Sequence, residues 1–101
     1  MIVQGTTPTH AFTLPFDTSL IKCARFIYSQ DGEVKVIKEK DDITMDGATV
    51  SATLTQGDTF KFNPGQVVRL LLRVLTHEGE ALAAEPVQIF CRGCCDKEEL
   101  A

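Results

Sequence analysis

Residues 66–75 read Gln-Val-Val-Arg-Leu-Leu-Leu-Arg-Val-Leu, and this stretch decides the fold. One set of alternate positions holds Val68, Leu70, Leu72 and Val74, and the other set holds Val67, Arg69, Leu71, Arg73 and Leu75. Successive side chains of a β-strand point to opposite faces of its sheet, so the first set predicts a buried face. Because the second set is also largely apolar, the pattern is typical of a central strand with both faces partly covered.

Shorter alternating segments lie on both sides of this strand and predict the rest of the sheet structure. They cover residues 9–14, 22–30, 33–38, 43–45, 48–54 and 81–91. The dipeptides Asp31-Gly32 and Asp46-Gly47 supply the turn chemistry of tight hairpins, and residues 55–60 indicate a turn or one helical turn that crosses between sheets. About seven short strands favour an all-β fold, an immunoglobulin-like antiparallel β-sandwich, although a small barrel shares the same signals.

One domain accounts for the chain, because 101 residues form a single core and no change in composition divides them. We expect the β-sandwich domain to cover residues 1–92. Residues 93–101 contain Asp96-Lys97-Glu98-Glu99 and little to bury, so this acidic C-terminal tail is expected to be flexible.

The charge and hydropathy of the chain argue against two classes of partner. A net charge of −4 gives no electrostatic attraction to phosphate backbones, so nucleic acid is not an expected partner. No apolar run approaches the roughly 18 residues that span a bilayer, and the first residues lack the pattern of a secretory signal, so we expect no membrane partner and a cytoplasmic start.

Four cysteines raise the question of a metal or redox site. Cys91 and Cys94 have Cys-x-x-Cys spacing, with Cys95 adjacent, and such spacing can place two thiolates on one metal ion or form a redox pair. A structural zinc site needs four ligands, and no second closely spaced pair exists, so free thiols and no cofactor are expected. Cys23 and Cys91 are expected to face each other across the sandwich as a packed, reduced pair.

No constellation of residues predicts an enzyme. His10 lies at a strand start and His77 in a turn, with no motif around either, and both are expected on the surface. Arg69 and Arg73 share one face of the central strand, roughly 13 Å apart by the rise of a strand. They are the candidate interface residues, and solvated arginines on a sheet face explain them equally well.

Several segments resemble small proteins encoded in phages and prophages of Gram-positive bacteria. They are residues 5–9 (Gly-Thr-Thr-Pro-Thr), 12–17 (Phe-Thr-Leu-Pro-Phe-Asp), 28–30 (Tyr-Ser-Gln), 54–60 (Leu-Thr-Gln-Gly-Asp-Thr-Phe), 73–75 (Arg-Val-Leu) and 79–83 (Gly-Glu-Ala-Leu-Ala). The opening and the strand order also resemble the immunoglobulin-like N-terminal domain of phage baseplate upper proteins. Those proteins continue into a fibre domain, which does not follow residue 101 here, and Cys94-Cys95 departs from the pattern.

This resemblance implies a non-enzymatic structural module, an accessory subunit of a virion or of a tail or baseplate assembly. Its expected partners are other phage structural proteins or further copies of itself, bound through an edge strand or a sheet face. Its expected location is the cytoplasm of the bacterial host before assembly, and then the virion. The alternative function is a metal-binding or redox thiol protein built on Cys91, Cys94 and Cys95.

Overall fold

Nine strands form two sheets in a computed structural model that describes every residue from Met1 to Ala101. The strands are β1 (Ile2–Val3), β2 (Thr9–Thr13), β3 (Ile21–Gln30), β4 (Glu33–Glu39), β5 (Ile43–Asp46), β6 (Thr49–Thr53), β7 (Val67–Thr76), β8 (Ala81–Ala83) and β9 (Val87–Arg92). One short helix, α1 (Gln56–Phe60), and two single 3₁₀ turns (Thr18–Leu20 and Lys40–Asp42) complete the chain. The predicted all-β class is therefore confirmed.

The strand order confirms the predicted immunoglobulin-like sandwich. The larger sheet runs β1-β9-β7-β3-β4, with β8 also paired to β7, and the smaller sheet runs β2-β6-β5. In immunoglobulin nomenclature β9, β7, β3 and β4 take the places of strands G, F, C and C′, while β2, β6 and β5 take those of B, E and D. Seven of the strands have four or more residues; the other two are β1, which pairs in parallel with β9, and the three-residue β8.

The core lies between the two sheets and is built from the alternate residues that the sequence indicates. Val68, Leu70, Leu72 and Val74 of β7 are all buried. Phe26 and Tyr28 of β3 are fully buried beside them, and Val50 and Ala52 of β6 cover them from the smaller sheet. Since these residues use one face of the larger sheet, the opposite face of the same strands is left to solvent.

Helix α1 forms the corner between β6 and β7, where one helical turn was predicted. Its first turn is held by a capping box in which the Thr55 hydroxyl accepts from the Asp58 N–H at 3.1 Å and the Asp58 carboxylate accepts from the Thr55 N–H at 2.8 Å. The Lys38 ammonium of β4 lies 2.6 Å from the same carboxylate, and both side chains are nearly buried. The ion pair therefore ties the edge of the larger sheet to the helix.

The last strand ends at Arg92, and residues 93–101 contain no helix or strand. They fold back along the domain instead of pointing away from it. The Gln56 side chain exchanges two hydrogen bonds with the Leu100 backbone, at 2.7 and 3.0 Å, and Lys97 Nζ donates to Gln4 Oε1 at 3.2 Å. The flexibility of this tail stays a prediction.

Candidate functional site

The candidate site is the outer face of the larger sheet, defined by the side chains of β9, β7, β3 and β4 that point away from the core. Across this face Leu71 of β7 lies opposite Ile27 of β3, and Ile27 lies opposite Ile37 of β4. Beside this row, Val67 lies opposite Phe90, and Ser29 lies opposite Val34. The register therefore builds an apolar row across three strands and a second apolar pair at Val67 and Phe90, with Arg69 and Gln88 between them.

The apolar side chains of the outer face are unusually exposed. The exposed fractions are 53% for Val34, 46% for Ile37, 44% for Val67 and 47% for Phe90. Single exposed apolar residues are normal, but four of the nine large ones in this chain lie on one face. From a strand spacing of about 4.8 Å and a rise of about 3.4 Å per residue, the face measures about 14 by 27 Å, or about 400 Å².

Arg69 and Arg73 lie on this face, one on each side of Leu71, and both are exposed. Neither guanidinium has a carboxylate within 4.0 Å. Arg25 of β3 lies opposite Arg73, but Arg25 Nε donates to Glu39 Oε2 at 2.8 Å on the far side. The structure therefore places both candidate interface residues beside the apolar row and leaves their charges uncompensated.

A shallow groove of about 360 Å³ lies at one end of the outer face. Arg25, Glu39 and Arg73 line it together with Cys23 and Leu75, which lie opposite each other in the β3–β7 register. The lining thus combines apolar side chains with both signs of charge.

The predicted packing of Cys23 against Cys91 is wrong. Both residues belong to the larger sheet, but Cys23 is exposed on the outer face while Cys91 is fully buried in the core. The reason is strand alternation: Cys23 is an odd number of positions from Phe26, which faces inward, so it must face outward. All four cysteines are free thiols.

The Cys-x-x-Cys segment is divided between the core and the surface. Cys91 packs in the hydrophobic core opposite Ile2, and burial raises the pKa of its thiol. Cys94 is half-buried and Cys95 is exposed, and both follow the end of β9. No group of three or more His, Cys, Asp or Glu side chains is arranged to hold a metal ion.

The expected surface position of His10 is also wrong. His10 is half-buried on β2, and its Nδ1 lies 2.8 Å from the hydroxyl of the fully buried Tyr28. Burial lowers the pKa of His10, and the positive N-terminus lowers it further. Burial raises the pKa of Tyr28, and the nearby Asp58 charge acts in the same direction. The bond satisfies both side chains between the two sheets, whereas His77 is exposed in its turn as expected.

The ion pair between Lys38 and Asp58 bears on how the sheet can bind a partner. Burial pushes the pKa of Asp58 up, but hydrogen bonds from Lys38 and from the Thr55 backbone, together with the Lys38 charge, outweigh this effect and hold the pKa below its usual value of 3.8. An inward-pointing lysine on an edge strand is a known device against strand-to-strand pairing. Strand β4 is therefore poorly suited to strand addition, whereas β2 and β5 remain edge strands of the smaller sheet.

Much of the outer face was missed by sequence reasoning. Val34 and Val36 share one face in a regular strand, but the β3–β4 register shifts between Tyr28 and Ser29, so Val36 is buried and Val34 is exposed. A β-bulge of this kind reverses the facing of every residue beyond it. The facing of Ile27 could have been found by counting from Phe26, but its place beside Leu71 depends on tertiary pairing.

Comparison with known proteins adds no assignment. No protein-family model matches the chain, and no curated protein matches it in sequence. Neither comparison identifies a phage protein. None of the helices is long and apolar enough to cross a membrane.

Proposed function

We propose that this protein is a non-enzymatic, phage-related structural module, an accessory subunit of a virion or of a tail or baseplate assembly. It binds another structural protein through the outer face of its larger sheet. It occupies the cytoplasm of the bacterial host before assembly and the particle afterwards. The segment resemblance supports the phage context, and the fold supports a binding role because sandwich faces and edges are common protein-binding surfaces.

The observation that carries the proposal is the combination on one face of exposed apolar side chains and uncompensated arginines. Val67 and Phe90 are nearly half exposed, and Arg69 and Arg73 beside them have no carboxylate partner. Protein interfaces are enriched in aromatic residues and arginine, which anchor the contact. A partner that covers this face removes apolar area from water and supplies the missing carboxylates.

The polar groups under the sheet support a structural role for the interior. The hydrogen bond of His10 to Tyr28 and the ion pair of Lys38 with Asp58 lie between packed elements. Every buried side-chain nitrogen and oxygen in the chain has a hydrogen-bond partner. These groups therefore stabilise the sandwich.

The alternative of a metal-binding or redox thiol protein needs Cys91, Cys94 and Cys95 to act on one ligand. Cys91 faces the core and Cys95 faces solvent, so no observation favours that function. Nucleic acid and membranes are not proposed as partners; these two predictions rest on the net charge of −4 and on the lack of a long apolar run in the sequence.

The test of the proposal is the composition of phage particles. The strain that encodes the chain is treated to induce its prophages, the particles are purified on a density gradient, and peptides of this chain are quantified by mass spectrometry. We expect the chain to co-purify with particles at a fixed ratio to the major structural proteins. Recovery of the chain only in the particle-free fraction would contradict the proposal.

A further inference from the structure

We propose that the occupant of the outer face is an acidic surface of a different protein chain, in which carboxylates flank an apolar side chain. This inference rests on the proposed function and adds the chemistry of the partner. It is carried by the charge and spacing of the arginines around the apolar row.

The charge of the outer face is opposite to that of the whole protein. Arg25, Arg69, Arg73 and Arg92 stand against the single carboxylate of Glu39, which leaves the face with a charge of +3, while the chain carries −4. Only Arg25 is paired, by Glu39 at 2.8 Å. A cationic face attracts acidic partners and disfavours stacking against the same face of another copy. Arg69 and Arg73, which are unpaired and flank Leu71 of the apolar row, are therefore the groups that select the partner.

The spacing of these arginines defines what fits them. Arg69 and Arg73 are separated by four residues of one strand, about 13 Å, and Leu71 lies midway between them on the same face. An extended segment of a partner has the same repeat. A carboxylate, an apolar residue and a second carboxylate at positions i, i+2 and i+4 of such a segment match the three side chains in order.

A second copy of this chain bound face to face is a poorer occupant. Two outer faces stacked together place a charge of +3 against +3, and like charges across an interface disfavour association. Nucleic acid is disfavoured because the apolar row has no counterpart on a phosphate backbone and the net charge is negative.

The test is a titration of the ¹⁵N-labelled protein, followed by two-dimensional NMR, with a synthetic peptide, acetyl-Gly-Glu-Ser-Leu-Ser-Glu-Gly-amide. We expect shifts of the β7 and β3 amides beneath the outer face, with a Kd near 1 mM, as suits a short peptide. Two control peptides are used, one with both glutamates replaced by lysine and one with the two glutamates adjacent. We expect at least fivefold weaker binding of both, and the same loss for the Arg69→Glu and Arg73→Glu variants.

A charge-matched variant controls for the total charge. Lys61 is exposed, follows α1 and lies outside both sheets, so Lys61→Glu changes the net charge equally and should bind the peptide as the wild type does. The amide spectrum of each variant reports whether it is folded. The inference would be overturned if the Glu-Ser-Leu-Ser-Glu peptide did not bind at about 5 mM, or if all three peptides bound equally.

Three further outcomes separate this inference from the proposed function. A dimer in light scattering that Arg73→Glu alters would identify the outer face as a self-association surface and overturn the acidic partner. Preferential binding of a short oligothymidylate at the same face would replace the protein partner with nucleic acid. If the chain is found in particles but the peptide does not bind, the acidic partner is refuted while the proposed function stands. If the peptide binds but the chain is absent from particles, the proposed function is refuted while the preference of the face for acidic segments stands.

Discussion

The ion pair between Lys38 and Asp58 predicts a large loss of stability when one partner is removed. The two groups lie 2.6 Å apart, and their side chains are only 11% and 12% exposed. The variant Lys38→Met keeps most of the side-chain volume but leaves the Asp58 carboxylate in a poorly solvated site without its counterion. Removal of one member of a buried pair costs about 3 kcal/mol or more, which lowers the melting temperature of a domain of this size by about 15 °C.

The assay is urea denaturation followed by far-ultraviolet circular dichroism, with Lys35→Met as the matched control. Lys35 lies on the same strand and is 16% exposed, but its partner Glu33 is 73% exposed at 3.4 Å and stays solvated without the lysine, so that substitution should change the free energy of unfolding by less than about 1 kcal/mol. The double variant Lys38→Met/Asp58→Asn should be at least 1 kcal/mol more stable than the sum of the two single losses predicts, since it leaves no unpaired charge. Equal effects of Lys38→Met and Lys35→Met would refute the reasoning.

The same pair predicts the acid sensitivity of the fold. The pKa of Asp58 is held below its usual value of 3.8, so folding favours its charged form. The stabilisation is therefore complete at neutral pH and is lost as the pH falls below 3.8 through the lower pKa of the folded state. The variant Asp58→Asn should show a weaker loss of stability over this pH range, and an unchanged loss would contradict the assignment.

Three other predictions follow from buried groups and backbone geometry. Because the pKa of His10 is lowered from 6.5, the unfolded chain binds a proton at a higher pH than the folded chain does, so stability should fall as the pH drops below 6.5. The variant His10→Gln should flatten this dependence in thermal denaturation. The variant Tyr28→Phe loses the hydrogen bond to His10 and should cost about 1 kcal/mol at pH 7 in the same assay. A chromogenic disulfide reagent should titrate three thiols in the native protein and the fourth, Cys91, only after unfolding, and fast reaction of all four would show that Cys91 is not in the core. Gly5 has φ +82°, and an added Cβ meets the Phe60 ring at 3.1 Å, so Gly5→Ala should cost at least about 1 kcal/mol in urea denaturation; an unchanged midpoint would contradict this geometry.

The fold could be predicted from the sequence because its information is local. Alternation along the chain and the two Asp-Gly turns place most of the strands, and residues 55–58 carry the capping chemistry of α1. Strand β1 was not predicted, and the single segment predicted over residues 81–91 is divided into β8 and β9. The tail contacts of Gln56 with Leu100 could not be predicted, since an amide that bonds a backbone 44 residues away leaves no pattern in the sequence.

The candidate site could be predicted only in part, because a sheet face is assembled from several strands. The placement of Arg69 and Arg73 on one face follows from the alternation of a single strand. The row from Leu71 to Ile37 depends on which strands are neighbours, and the exposure of Val34 depends on a bulge that the hairpin sequence does not reveal. The inward position of Lys38 was missed because a lysine among alternating charges is typical of a solvated face.

The central claim is that this protein enters a phage-related particle through the outer face of its larger sheet. The most direct measurement is the number of copies per particle in a strain that lacks the chain and is supplied with the wild type, Arg73→Glu or Lys61→Glu. We expect equal incorporation of the wild type and Lys61→Glu, and about tenfold less of Arg73→Glu, which corresponds to about 1.4 kcal/mol of lost binding. Absence of the wild type from particles, or equal incorporation of all three proteins, would contradict the claim.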